Sequence, residues 1–155
     1  MQDKFYRYVH HRMGLLLAWG TLNVAAGSLL SLLSRDKYWK HFWLQCLGWG
    51  GVDALLAGFS RRGYRRKLAR LAGGNTSGRT ETWLKEAKPI FLVLAVNVCL
   101  DLGYMLAGEW FRRKGHASGK PDQAGMGLGF IMQGLFLFLF DAWLSLEIKR
   151  RWLEK

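Results

Sequence analysis

Residues 126–146 read MGLGFIMQGLFLFLFDAWLSL, and this stretch decides the fold class. It contains no Lys or Arg and is apolar on nearly every face of a helix. About 20 such residues, rising 1.5 Å each, cross the roughly 30 Å of hydrocarbon in a bilayer. A helix of a soluble bundle would instead keep a polar stripe at the helical period. The stretch therefore predicts a membrane-spanning helix.

Three earlier runs of 18 to 21 residues have the same apolar character and also lack Lys and Arg: 13–33, 42–59 and 89–107. Pro89 opens the third run and Pro121 precedes the fourth. We expect both prolines at or before helix starts, where a missing N–H group costs little. The pattern predicts an all-α integral membrane four-helix bundle, with residues 1–155 forming a single membrane domain.

The 155-residue chain carries a net charge of +12, and its basic residues are concentrated between the apolar runs. Of the 23 Lys and Arg residues, 16 lie in the N-terminus, the second connection and the C-terminal tail. The positive-inside rule then places both termini in the cytoplasm, with the protein in the inner (plasma) membrane. Because orientation alone accounts for this charge and no recognition motif accompanies it, we expect no nucleic-acid partner.

The segment SRRGYRRKLARL, residues 60–71, holds six basic residues directly after the second run. One interpretation is a simple topology anchor. The other is a juxtamembrane helix lying on anionic lipid headgroups, to which each Lys or Arg contributes about 1 kcal/mol. The candidate headgroup residues are Arg61, Arg62, Arg65, Arg66, Lys67 and Arg70. The following GGNTSGRT, residues 73–80, has the composition of a flexible linker.

The second and fourth runs share a polar pattern. Residues 45–62, QCLGWGGVDALLAGFSRR, align with residues 133–150, QGLFLFLFDAWLSLEIKR. Both segments begin with a Gln and have an Asp eight residues later. The first and third runs share only an Asn-Val pair. We predict two repeated helical hairpins, about residues 13–71 and 89–155, related by a pseudo-twofold axis along the membrane normal.

Seven strongly polar side chains lie within the four runs: Asn23, Gln45, Asp53, Asn97, Asp101, Gln133 and Asp141. Each intramembrane Asp costs about 2.5 to 3.5 kcal/mol on insertion scales. Since the runs contain no Lys or Arg, the acids must be protonated or be offset by a cation or a hydrated cavity. Three interpretations stay open: a network that holds the helices together, a proton or cation path, and a ligand or lipid pocket.

The depths of these residues predict two polar layers. Counted from the cytoplasmic helix ends, Asp53, Asn97 and Asp141 lie about 8 to 12 Å deep. Asn23 lies about 15 Å deep, and Asp101 and the two glutamines lie about 18 to 21 Å deep. We expect an inner layer of two acids with Asn97 and an outer layer of Asp101 with Gln45 and Gln133.

Four stretches resemble a family of small bacterial four-helix membrane proteins of unknown function: LNVAAG, GWGGVDALLAG, NVCLDLGYMLAG and GMGLGFIMQGLFLFLFDAW. The more specific elements are Asn-x3-Asp-x2-Tyr in the third run and Gln-x7-Asp in the fourth. The resemblance implies the four-helix fold and no activity. It points to the polar positions Asn23, Asp53, Asn97, Asp101, Tyr104, Gln133 and Asp141.

Two functions compete on this evidence. The first is a proton or cation channel or transporter that acts as an oligomer, because one bundle of four helices encloses little space. The second is a structural or regulatory subunit that binds a membrane partner protein or a second copy, with the polar residues purely structural.

An enzyme is less supported, since no serine in the runs has a His or Lys beside it. Cys46 and Cys99 lie inside runs, and all four His lie outside them, so we expect no disulfide, metal or other cofactor.

Overall fold

The computed structural model describes residues 1–73 and 82–154, and of residues 82 and 83 it describes only the backbone. The described residues form helices and no strand: α1 Gln2–Leu33, α2 Lys37–Ala72, α3 Thr82–Ala117, α4 Pro121–Ile148 and a π-helical turn Lys149–Leu153. The all-helical class with four main helices is as predicted. Most of the predicted linker, residues 74–80, lies outside the described residues.

Two short connections turn the chain back on itself. Asp36 caps α2 by accepting a hydrogen bond from the backbone N–H of Tyr38 at 2.7 Å. Pro121 occupies the first turn of α4, as expected, and Gly119 just before it has a φ of 62°, which favours glycine. We call the end with these connections the loop end, and the opposite end, which holds both termini, the terminal end.

The bundle consists of two antiparallel hairpins, α1 with α2 and α3 with α4, joined mainly through α2 and α4. Glycines bring the backbones close together. A Cβ atom added at Gly20 of α1 would lie 2.6 Å from the backbone nitrogen of Ala54, and one added at Gly129 of α4 would lie 2.5 Å from Cβ of Gln45. Tyr38 and Gln45 of α2 contact Gly125 and Gly129 of α4 in the same chain order, so these two helices run parallel.

Apolar side chains fill the terminal end, where α1 inserts its first turns against the other helices. Phe5 and Val9 of α1 are buried, as are Leu144 and Ile148 of α4 and Ala87 of α3. This core extends the bundle beyond the apolar runs.

Three helical segments are long and apolar enough to cross a membrane: Gln2–Leu33, Leu84–Ala117 and Pro121–Leu153. The predicted second span, residues 42–59, is not among them. Its glycines, tryptophans, Gln45 and Asp53 lower its mean hydropathy. Three of the four predicted spans thus have the required length and apolarity, and the crossing by α2 stays a prediction.

The expectation for Pro89 was wrong, because Pro89 lies inside α3, seven residues after its start. An interior proline removes one helical hydrogen bond and costs about 3 kcal/mol. Contacts made before the proline offset this cost: Ala87 is fully buried, and Glu86 accepts a hydrogen bond from Lys67 of α2 at 2.6 Å. Tertiary packing therefore extends the helix through the proline.

The basic segment, residues 60–71, does not form a helix of its own. It is the continuation of α2, whose 36 residues make a helix about 54 Å long. Tyr64 and Leu68 in this part pack on the apolar core of the terminal end. Because these contacts hold the segment to the bundle, it projects beyond the apolar run instead of forming a separate helix.

Candidate functional site

Three buried carboxyl groups form what we call the acidic cluster: Asp53 of α2, Asp101 of α3 and Asp141 of α4. Asp53 and Asp101 are 3% exposed and Asp141 is 6% exposed. The carboxyl of Asp101 lies within electrostatic range of both others, and that of Asp53 lies within range of Asp141. The bundle thus concentrates three acids from three helices in its interior.

Hydrogen bonding satisfies the cluster only in part. Asn97, one turn before Asp101 on α3, donates a side-chain hydrogen bond to Asp141. Asp53 and Asp101 each bury an Oδ2 atom that has no hydrogen-bond partner. Among the described residues, no Lys, Arg or His forms a salt bridge with any of the three acids. A buried polar atom normally has a partner, so these two oxygens are unusual, as is the buried Nε of Arg12 outside the cluster.

A second group of polar side chains, which we call the amide network, links α1 to α4. Gln133 Nε2 donates to Asn23 Oδ1 at 2.9 Å, and Trp19 Nε1 donates to Gln133 Oε1 at 3.0 Å. Asn23 Nδ2 in turn donates to the backbone carbonyl of Trp19 at 2.9 Å. Each side-chain amide thus uses its oxygen and one of its two N–H groups in these bonds. The network holds α1 against α4.

The sequence interpretation missed Trp19. Its ring stacks on Phe136 with a centroid distance of 4.0 Å and an interplanar angle of 9°. The indole N–H of Trp19 lies in the middle of an apolar run and needs a hydrogen-bond acceptor. Its position one turn before Asn23 was the sequence signal that it belongs to the polar group.

Asp101 was predicted in the layer of the glutamines, and its backbone carbonyl lies against Gly134, next to Gln133. Its carboxyl group is nevertheless within electrostatic range of Asp53 and Asp141. Helical side chains lean toward the N-terminus of their own helix. Asp101 on α3 therefore leans toward the terminal end, whereas Asp53 and Asp141 on the oppositely directed α2 and α4 lean toward the loop end. These directions bring together acids whose Cα atoms start at different depths.

Two predicted positions, Gln45 and Tyr104, make none of the hydrogen bonds that define the amide network. Gln45 is half-buried with its Cβ against Gly129, so the close approach of α2 and α4 fixes it at the helix contact. Tyr104 is 38% exposed and packs edge-on against Trp49 with a centroid distance of 5.2 Å. Both residues therefore contribute packing contacts between helices.

The six predicted headgroup residues are divided by the structure. Lys67 is half-buried and paired with Glu86, so its charge is compensated within the bundle, and its contact with lipid headgroups stays a prediction. Arg61 is half-buried, and the remaining four are exposed: Arg62, Arg65, Arg66 and Arg70.

No group of three or more His, Cys, Asp or Glu side chains in the described part of the chain has the geometry to hold a metal ion. The acidic cluster is thus close enough for electrostatic interaction but does not converge on one ion. Cys46 is buried, Cys99 is exposed, and both are free thiols. The buried carboxyl oxygens of the acidic cluster can bind protons.

A comparison with protein families identifies a match over most of the chain. The model of a family described as "Family of unknown function (DUF6992)" matches residues 15–142, a range that includes both the acidic cluster and the amide network. No curated protein and no solved structure matches the chain.

Proposed function

We propose a function from the site alone, because the chain belongs to DUF6992, a family of unknown function. We infer a multipass membrane protein in which all four helices cross the bilayer and the acidic cluster takes up and releases protons during their passage across the membrane. The observation that carries the proposal is the pair of buried, unpartnered Oδ2 atoms on Asp53 and Asp101.

The crossing by α2 is supported by its contacts. Gly50 of α2 packs so closely on α1 that an added Cβ atom would lie 2.5 Å from Cβ of Asn23, and the opposite face of α2 contacts α4. A helix held between two membrane-spanning neighbours crosses with them. Asp53, the residue that most reduces the apolarity of this run, faces the protein and not lipid.

The inward orientation of both termini rests on the charge distribution, with 16 of the 23 Lys and Arg residues on the terminal side. We propose that the terminal end with its apolar core lies in the cytoplasm. The parallel course of α2 and α4 supports the proposed repeat of two hairpins, because a pseudo-twofold axis along the membrane normal requires corresponding helices to be parallel.

Protons suit this cluster better than metal ions. Intramembrane carboxyl groups are costly to keep ionised, and such groups line proton relays in membrane proteins. An acid oxygen without a fixed partner is free to receive a proton, whereas a salt bridge would hold it in the charged form. One bundle encloses little space, so we propose that passage uses an assembly of several copies.

Proton flux into liposomes tests the proposal. Purified protein is reconstituted with a trapped pH-sensitive dye, and a potassium gradient with valinomycin supplies the driving potential. We expect proton entry above that of empty liposomes, and entry close to the empty-liposome rate for Asp53→Asn and Asp101→Asn. Asp3→Asn, which changes an exposed acid outside the cluster, is the matched control and should retain the flux.

The second candidate is a structural subunit, and the amide network favours it because its hydrogen bonds hold α1 against α4 without any exchangeable acid. Correctly folded wild-type protein that passes no protons under either polarity would contradict the transport proposal. A partner recovered by chemical cross-linking in native membranes would then support the structural role.

A further inference from the structure

A cavity of about 320 Å³ lies between α1 and α2 near the terminal end. Its lining combines basic and apolar groups: His10, Leu17, Gly58, Arg61, Arg62 and Arg65. Two helices therefore contribute to one concave site, with His10 and Leu17 coming from α1 and the arginines coming from α2.

The arginines of this cavity have no carboxylate partner among the described residues, unlike Lys67 and the arginines that pair with Glu109. The guanidinium of Arg61 lies over Gly14 of α1, where an added Cβ atom would be 3.5 Å from its Nη1 atom. None of the described residues that line the cavity is acidic. Uncompensated guanidinium groups around one space match the geometry of a phosphate group, whose oxygens accept several such hydrogen bonds.

The depth of the cavity corresponds to that of lipid headgroups if α2 crosses the membrane as proposed above. At 1.5 Å per residue, Arg61, Arg62 and Arg65 lie about 3, 5 and 9 Å beyond Phe59, the end of the apolar run. The headgroup region occupies about 5 to 8 Å on each side of the hydrocarbon. Leu17 and Gly58 line the same cavity and belong to the apolar runs of α1 and α2, so the site combines apolar and basic residues, as an amphiphilic ligand requires.

We propose that this cavity binds the phosphate group of one anionic phospholipid, with Arg61, Arg62, Arg65 and His10 around the phosphate and Leu17 beside the glycerol and the first acyl carbons. This site is more specific than attraction of a basic segment to a charged surface, because it requires α1 and excludes Arg66 and Arg70. It is independent of proton passage.

His10 supports the assignment. It lies three residues before the apolar run of α1, and burial, followed by the charges of Arg61 and Arg65 and then of His11, lowers its pKa. An anion between these cations removes part of their repulsion, so the pKa of His10 rises when the site is filled.

Native mass spectrometry of the protein in non-ionic detergent tests the site, with dioleoylphosphatidylglycerol as the ligand and dioleoylphosphatidylcholine as the uncharged-headgroup comparison. We expect wild-type protein to retain one phosphatidylglycerol preferentially. Arg61→Gln with Arg65→Gln should weaken retention about 30-fold, from the loss of two headgroup contacts of about 1 kcal/mol each. Arg66→Gln with Arg70→Gln removes the same charge from the same helix and should leave retention unchanged.

A second variant tests the cavity without removing charge. No atom lies within 4 Å of a Cβ added at Gly58, so Gly58→Leu is accommodated on the helix while its side chain fills the site. We expect weaker phosphatidylglycerol retention with an unchanged melting curve by circular dichroism. This readout stays available if the double arginine variant does not fold.

Equal losses in the two double variants, or unchanged retention by Gly58→Leu, would overturn the cavity in favour of diffuse attraction. Inorganic phosphate that displaces phosphatidylglycerol at equal concentration would identify a free-anion site and overturn the lipid assignment. Proton flux measured on the same variants separates the two proposals. Lost lipid retention with normal flux contradicts only the lipid site, and lost flux with normal retention contradicts only proton passage.

Discussion

Gln133 of α4 donates a hydrogen bond to Asn23 of α1 at 2.9 Å, and both side chains are buried in the interior of the bundle. This bond joins the first helix to the last across the boundary between the two hairpins. Burial removes the water molecules that would hydrogen-bond to these two side-chain amides, and the bond replaces them. The contact therefore specifies how the hairpins associate, a property that apolar packing alone defines poorly in a lipid solvent.

Removing either amide should destabilise the bundle by about 0.6 to 2 kcal/mol, the range for polar contacts between membrane helices. The variants are Asn23→Ala and Gln133→Leu, and the measurement is unfolding in mixed micelles with increasing SDS. We expect the double variant to cost less than the sum of the two single changes, since both remove one shared bond. Strict additivity would mean that the bond contributes nothing.

Thr21→Ala is a suitable control for this cycle. Thr21 is exposed on α1, and its hydroxyl bonds only to the backbone carbonyl of Leu17 at 2.7 Å. We expect no coupling between Thr21→Ala and Gln133→Leu.

Neutral substitution in the acidic cluster should not destabilise the fold. Asp101→Asn keeps the shape of the side chain and removes one of three acids that lie within electrostatic range of one another. We expect the SDS unfolding free energy to stay within about 1 kcal/mol of wild type or to rise, because the lost carboxyl oxygen had no hydrogen-bond partner. A loss above about 2 kcal/mol would assign the acid a structural role.

Two adjacent glycines of α2 should respond oppositely to the same change. An alanine Cβ at Gly50 would lie 2.8 Å from the carbonyl oxygen of Gly20, whereas nothing lies within 4 Å of one at Gly51. Gly50→Ala should cost about 1 to 3 kcal/mol through forced separation of α1 and α2. Gly51→Ala should be neutral or stabilise α2 by up to about 1 kcal/mol through helix propensity. Both are read from thermal unfolding in one detergent, and equal effects would contradict this packing.

The sequence was sufficient for the features that depend on periodicity and composition. The length and apolarity of residues 126–146 predicted a spanning helix, and α4 has the length and apolarity that a span requires. The matched Gln and Asp of the second and fourth runs selected Asp53 and Asp141. The structure places both acids in the interior of the bundle. This is the expected position, because a carboxyl group exposed to lipid would be costly.

Features that depend on which helix is the neighbour could not be predicted in this way. The extension of α3 through Pro89 rests on the pairing of Glu86 with Lys67, a residue of another helix. The association of Asp101 with the other two acids depends on the opposite directions in which side chains lean on antiparallel helices. The role of Trp19 required knowledge that α4 supplies Gln133 as the acceptor.

Tyr64, on the part of α2 that projects beyond the apolar run, should ionise at unusually high pH. Burial first, and then the charges of Glu86 and Tyr6, raise the pKa of Tyr64 to about 12 from an ordinary value of 10.0. The folded protein therefore holds this phenolic proton more tightly than the unfolded chain. The resulting stabilisation is fully present below pH 10 and is lost as the pH rises from about 10 to about 12.

The ionisation is measured as the difference in tyrosinate absorbance between wild-type protein and Tyr64→Phe during an alkaline titration. We expect the difference curve to have its midpoint near pH 12. Glu86→Gln should lower the midpoint, because it removes the carboxylate that disfavours a second negative charge and releases Lys67, whose Nζ lies 5.2 Å from the centroid of the Tyr64 ring. A midpoint near pH 10 in wild-type protein would show that Tyr64 is exposed to water, and the proposed packing of α2 on the apolar core of the terminal end would then be wrong.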